Sequence, residues 1–194
     1  MTTKKDIRKQ FLEQRLNLDE PTATRLNSAL QANVLKLNFS GLQYIHVFLP
    51  ILEKKEADTW PIIEALRTQY PQLRWVLSRS DMQTATMTHF LWEQDTPLVK
   101  NSYGITEPAA GETVTPPQID LVFVPLLAFD HTGHRVGYGK GMYDRFLQEC
   151  RPDVQTIGLS LFEPIREIPD TNAGDIALQT VVTPENIYHF SKKD

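Results

Sequence analysis

Between Gly133 and Gly141 the chain reads Gly-His-Arg-Val-Gly-Tyr-Gly-Lys-Gly, a run that holds four of its nine glycines. Arg135 and Lys140 lie inside this run, and Asp144 follows it closely. Glycine lets a backbone take positive φ and bring successive N–H groups close to an anion. A helix starting just beyond adds roughly half a positive charge at its N-terminus, where phosphate groups bind. A lysine beside such a cradle, with a carboxylate in the first helical turn, suits a nucleotide accompanied by Mg²⁺. Neither common phosphate motif fits. A Walker A loop needs Gly-x-x-x-x-Gly-Lys-Ser/Thr, but His134 stands at the first glycine position and Gly141 follows the lysine; the dinucleotide pattern Gly-x-Gly-x-x-Gly fails at Met142. The plain alternative is a flexible turn with a surface lysine.

The flanking elements must position this loop. Residues 119–125 read as a buried strand before it, and residues 142–150 as a helix after it. At the N-terminus, Ile7, Phe11, Leu12 and Leu16 give residues 3–17 a helical period. At about 100° per residue, Lys4, Arg8 and Arg15 fall within about 40° of one another, bordering that apolar stripe. They either face an anion or form a solvated basic face. Asp19-Glu-Pro21 signals a second helix start, carried by Leu26, Ala29, Leu30, Val34 and Leu37 to Ser40-Gly41. Strands and helices then alternate: a strand at 44–49, a helix from Asp58-Thr59 to Tyr70, and strands at 74–77 and 84–92. A long loop rich in Gly, Pro, Thr and Glu follows at 99–117, and further strands come at 155–161 and 181–183. This alternation predicts one three-layer αβα domain over residues 1–194, with a mainly parallel central sheet. Ligands on such sheets gather beyond the C-terminal strand ends, where Pro125 to Asp144 would lie.

A net charge of −4 gives no bulk attraction to nucleic acid, so none is expected as a partner. The single cysteine, Cys150, excludes an internal disulfide and a multi-cysteine zinc cage, and fits a reducing compartment. There is no apolar run of about 18 residues for a membrane span, and no secretory leader is visible, so the expected location is cytoplasmic. The histidines His46, His89, His131, His134 and His189 show no metal spacing and read as structural or exposed.

The stretch from Asp120 through Phe129-Asp130-x-x-Gly133-x-Arg135-Val-Gly137-Tyr-Gly139-Lys140-Gly141-Met-Tyr143-Asp144 to Leu147 closely resembles the signature of the 5-formyltetrahydrofolate cyclo-ligases. Lys4-x-x-x-Arg8, Glu56-x-Asp58-Thr59, Ser102-Tyr103-Gly-Ile-x-Glu107-Pro108 and Asp175 match that family in order, so the likeness spans nearly the whole chain. It implies the α/β fold class of sugar-phosphate isomerases and CoA transferases. It also implies an enzyme using ATP and Mg²⁺ to convert 5-formyltetrahydrofolate to 5,10-methenyltetrahydrofolate, ADP and phosphate, through a phosphorylated formyl group; a monomer is the expected state.

By that resemblance, ATP contacts would come from Lys4, Lys5, Arg8, Arg135, Gly137, Tyr138, Gly139, Lys140, Gly141, Met142 and Tyr143. Lys140 and Arg135 would stabilise charge on the transferred phosphoryl group. Asp144 and Asp175 would hold Mg²⁺, although each also reads simply, as a first-turn helix charge and as a turn residue after Gly174. The family often has another acid four residues after Asp175, where this chain has Gln179. Glu56, Tyr103, Tyr143, Met87 and Arg79 would face folate; the simpler readings are a charge ahead of a helix for Glu56 and core packing for the rings. Rival readings are an isomerase-like or thioester-transferring enzyme on the same fold, and a non-enzymatic sensor of a phosphate ligand.

Overall fold

The computed structural model describes residues 2–191. Its first helix, α1 (Lys4–Leu16), starts at a reciprocal cap: Thr3 Oγ1 accepts the Asp6 N–H, and Asp6 accepts the Thr3 N–H at 2.9 Å. Helix α2 (Glu20–Val34) starts at Asp19, whose carboxylate accepts the Thr22 N–H at 2.8 Å. It stops at Val34, short of the Ser40-Gly41 end that the pattern predicts. The apolar spacing outlasts the helix because Leu35 and Leu37 pack against the same core from an irregular segment.

The central sheet is built from β1 (Tyr44–His46), β2 (Arg74–Asp81), β3 (Thr86–Leu91), β6 (Leu121–Pro125), β9 (Gln155–Leu159), β10 (Thr180–Val182) and β11 (Ile187–His189), in the order β11-β10-β9-β6-β1-β2-β3. The four inner pairings are parallel, and the two outermost, β2 with β3 and β10 with β11, are antiparallel. Strand β1 is shorter than predicted: the Val47 N–H still donates to the Val76 carbonyl of β2 at 3.0 Å, but the pairing ends there, ahead of Pro50, which has no N–H to give. The expected long loop at 99–117 contains a small hairpin, β4 (Leu98–Lys100) with β5 (Thr106–Pro108). Buried Glu107 anchors this hairpin by accepting the Ser80 N–H. A second hairpin, β7 (Ala128–Phe129) with β8 (Arg135–Val136), interrupts the glycine segment.

Alternating strand residues divide the core into two layers. Ile45, Trp75, Leu77, Leu121 and Phe123 pack under α2 and helix α3 (Trp60–Gln69). Val76, Val122, Val124 and Val181 pack under α4 (Met142–Glu149) through Phe146 and Leu147. Helix α1 stands apart from both layers and buries Ile7 and Phe11 against Leu127, Ala128 and Val136 of the second hairpin. From central β1 the chain winds outward to β2 and β3, then returns to β6 on the other side and winds the opposite way. The C-terminal ends of β1 and β6 therefore part at a switch point, the ordinary place for a ligand crevice. Among the described residues no helix is long and apolar enough to cross a membrane.

Candidate functional site

The glycine loop rests on a rigid base. Buried Asp130 accepts the N–H groups of Thr132 and His134 with one carboxylate oxygen and the Ile168 N–H with the other. Gly133 turns at φ +84°, and a β-carbon there would stand 2.6 Å from the Leu178 carbonyl oxygen, so only glycine fits. Beyond β8 the loop runs into α4 at Gly141, whose φ of +66° starts the helix without any side-chain cap. The first-turn N–H groups of α4 consequently keep the anion-attracting character of an open helix end.

This loop forms one wall of a cavity of about 510 Å³ at the switch point between β1 and β6. Lys4 and Arg8 reach it from α1, and Gly137, Tyr138, Gly139, Lys140, Gly141, Met142, Tyr143, Asp144 and Asp175 also line it. The opposite wall is largely apolar: Phe48, Leu49, Met82, Met87 and Ile105, with Tyr103 from the β4–β5 connection. Lining cations (Lys4, Arg8, Lys54, Arg135, Lys140) outnumber lining carboxylates (Glu56, Asp144, Asp175), so the cavity is positive within a chain of net charge −4.

The cations differ in how firmly they are held. Arg8 Nε donates to the Gly137 carbonyl at 2.8 Å, clamping the loop. Arg135 is almost fully buried, donates to the Ile176 carbonyl, and pairs with Asp144 Oδ1 at 2.8 Å. Burial lowers the Arg135 pKa, opposed by the Asp144 carboxylate. Lys4 pairs with Asp175. Lys140 is exposed and makes no ion pair among the described residues, which leaves its ammonium free to meet an incoming anion. Lys5 points to solvent and does not line the cavity, since it lies one residue, or about 100° of helix, from Lys4.

Asp144 and Asp175 meet at one rim. Asp144 Oδ1 also accepts the Ile176 N–H at 3.0 Å, so residues 175 and 176 tie both carboxylates together. Asp175 Oδ2 takes Lys4 Nζ and the Asn172 N–H, which hold its pKa below the usual range although burial opposes them. Asp144 Oδ2 and Asp175 Oδ1 keep no hydrogen-bond partner among the described residues. Two carboxylates with free hard oxygens suit Mg²⁺, which commonly takes one or two carboxylates and completes its shell with phosphate and water. No group of three metal-ligating side chains occurs among the described residues. Gln179 is elsewhere, donating to the Val154 carbonyl.

Glu56 is buried at the cavity wall, accepting the Ile51 N–H at 2.6 Å on one oxygen and the Tyr138 hydroxyl at 2.6 Å on the other. Burial raises its pKa against these bonds and the nearby Arg15 and Lys54 charges. Tyr138, expected beside ATP, thus turns its hydroxyl toward Glu56. Arg79 is not brought to the cavity: strand alternation aims Ser78 and Ser80 inward, while Arg79 lies over the Phe90 ring and donates to the Ala109 carbonyl. Sequence reasoning missed His46 and Ser78 on the cavity wall. Ser78 Oγ bridges His46 Nε2 at 2.6 Å and His89 Nδ1 at 2.8 Å, and His46 meets the Tyr143 ring edge-on. Burial lowers the pKa of both histidines, that of His89 to about 4. Residues 46, 78 and 89 share no local spacing; only strand pairing brings them together.

Comparison with known proteins follows the same outline. Residues 1–184 match the model of the 5-formyltetrahydrofolate cyclo-ligase family. The 5-formyltetrahydrofolate cyclo-ligase of Mus musculus is 30% identical over 159 residues, covering 77% of this chain and 75% of its own length. That of Haemophilus influenzae is 48% identical over 56 residues, a stretch covering 28% of this chain and 30% of the relative. The NMR structure of Aquifex aeolicus 5,10-methenyltetrahydrofolate synthetase matches with a TM-score of 0.82 at 28% identity, covering 98% of this chain and 94% of the other. With the glycine loop, the cationic cavity and the sheet all lying inside the matched span, the chain belongs to the 5-formyltetrahydrofolate cyclo-ligase family and is an enzyme of that class.

Proposed function

We propose that the protein, acting as a monomer, uses ATP to close 5-formyltetrahydrofolate into 5,10-methenyltetrahydrofolate. The observation that carries this reading is a single cavity with a cationic glycine loop on one wall and an apolar wall around a buried glutamate on the other. A formyl group on nitrogen is a weak electrophile, and its oxygen is a poor leaving group. Transfer of the γ-phosphoryl group to that oxygen, with ADP leaving, remedies both faults. The 10-nitrogen then attacks the formyl carbon and loses its proton, and phosphate departs with the former formyl oxygen. Such chemistry asks mainly for positioning and for neutralised phosphate charge.

Lys4, Arg8, Gly137, Gly139, Gly141 and Met142 would hold the triphosphate, while Lys140 and Arg135 would face the transferred group. Asp144 and Asp175 would hold Mg²⁺, which when bound neutralises phosphate charge. Glu56 would accept hydrogen bonds from the pterin, with Tyr103, Tyr143 and Met87 packing around it. The test is the absorbance of methenyltetrahydrofolate on mixing the protein with Mg-ATP and 5-formyltetrahydrofolate, together with ADP release. One ADP per methenyl product is expected, and no product at micromolar enzyme would sink the proposal. Lys140→Ala should reduce kcat by about a hundredfold or more. Its folded spectrum should not change, because the exposed lysine side chain makes no ion pair among the described residues.

A further inference from the structure

We infer that Arg15 is a positioning residue that fixes Glu56 through Tyr138, joining folate capture to the helix that carries Lys4 and Arg8. This rests on the folate-facing role proposed for Glu56. Arg15 is 4% exposed although it carries a permanent charge, and it has no carboxylate in direct contact among the described residues. A buried guanidinium is costly unless its donors are used and its charge is answered. Its Nε donates to the Lys54 carbonyl at 2.7 Å, Nη1 to the Leu126 carbonyl at 3.3 Å, and Nη2 to the Tyr138 hydroxyl.

The direction of the chain of bonds is forced. A guanidinium can only donate, so the Tyr138 oxygen accepts from Arg15 and its one proton goes to Glu56 Oε1. The Ile51 N–H fixes the other Glu56 oxygen. This arrangement wants Glu56 as an acceptor, in its ionised form, and Arg15 supplies the answering charge at one hydroxyl's remove. Substrate can therefore meet the carboxylate without competing with a direct ion pair. The charged and titratable groups facing Glu56 are Arg15 from α1, Lys54 from the turn after Ile51, Tyr138 from the glycine loop and Tyr143 from α4. Only Arg15 and Tyr138 form the relay. On the same helix Arg8 holds the Gly137 carbonyl, so α1 grips the loop on both sides of the Gly137–Tyr138 peptide bond.

The test uses the full chain with Arg15→Met, Arg15→Lys and Tyr138→Phe. Steady-state kinetics for each substrate across pH are combined with calorimetry of 5-formyltetrahydrofolate binding. Arg15→Met should weaken folate binding about tenfold or more. It should also move the acidic limb of kcat/KM for folate to higher pH while KM for ATP changes little. Arg15→Lys should recover part of the loss by keeping the charge. Tyr138→Phe should give the same limb shift, and the double variant should be no worse than the poorer single one. An unmoved acidic limb in folded Arg15→Met and Tyr138→Phe proteins overturns the inference. So does an equal rise of KM for both substrates. If Arg15→Met does not fold, the limb in Arg15→Lys and Tyr138→Phe decides the matter. A wild-type protein that binds folate but makes no product defeats the proposed reaction instead, and folate calorimetry on the variants still judges the relay.

Discussion

Gly139 turns at φ +90°, and a β-carbon there would lie 3.0 Å from the Arg8 guanidinium carbon. Two demands meet at this residue: a backbone shape that other residues resist, and room for the cation that clamps Gly137. Gly139→Ala should add strain on the order of 1–3 kcal/mol and push Arg8 from its carbonyl. KM for ATP should rise several-fold, with a smaller change in KM for folate. Thermal unfolding with ATP and folate kinetics would check this, and an unaltered KM for ATP would count against Arg8 as a nucleotide contact. By contrast, nothing among the described residues lies within 4 Å of a β-carbon built at Gly137, so its neighbours do not explain the choice of glycine there.

Among the elements, α1 has the most to lose at its first turn, because Lys4 opens the helix and Arg8 follows one turn later. Thr3→Ala removes one side of the cap and should cost about 1 kcal/mol. Fraying would first loosen Lys4, whose N–H is held by Asp170, so KM for ATP should rise while KM for folate stays near its normal value. Kinetics for the two substrates would separate these effects. This helix was legible in the sequence because Ile7 and Phe11 sit at helical spacing and the next helix is announced by Asp19 and Pro21. The glycine loop was legible because its composition is so unusual. Other features were hidden for identifiable reasons. Strand β11 is three residues long and half polar, and it exists only by pairing with β10. Arg15 read either as facing an anion or as part of a solvated basic face, yet its partners stand 39 to 123 residues away, where no helical wheel can show them. Arg79 shows the converse, since one residue along a strand changes its face.

At the scale of the whole molecule, His46 and His89 set an acid limit. Burial lowers both, and for His46 the neighbouring His89 adds to the effect. Below the ordinary pKa of 6.5 the unfolded chain binds protons that the folded one refuses until about 4 for His89. Stability should therefore fall as pH drops through that window, by up to about 1.4 kcal/mol per pH unit for each histidine. Glu56, raised by burial, opposes this trend above the usual glutamate range. Urea midpoints measured across the window should decline in the wild type and decline less in His89→Asn; a flat wild-type curve would refute the assignment. The Lys4–Asp175 pair has a consequence of another kind. It closes the cavity rim with residues 171 positions apart. On a ribosome the helix bearing Lys4 emerges before the glycine loop, and the Asp175 carboxylate that faces them emerges after both. A nascent chain thus carries the whole glycine loop before it owns a finished cavity rim, and a premature stop after α4 would yield the signature without Asp175.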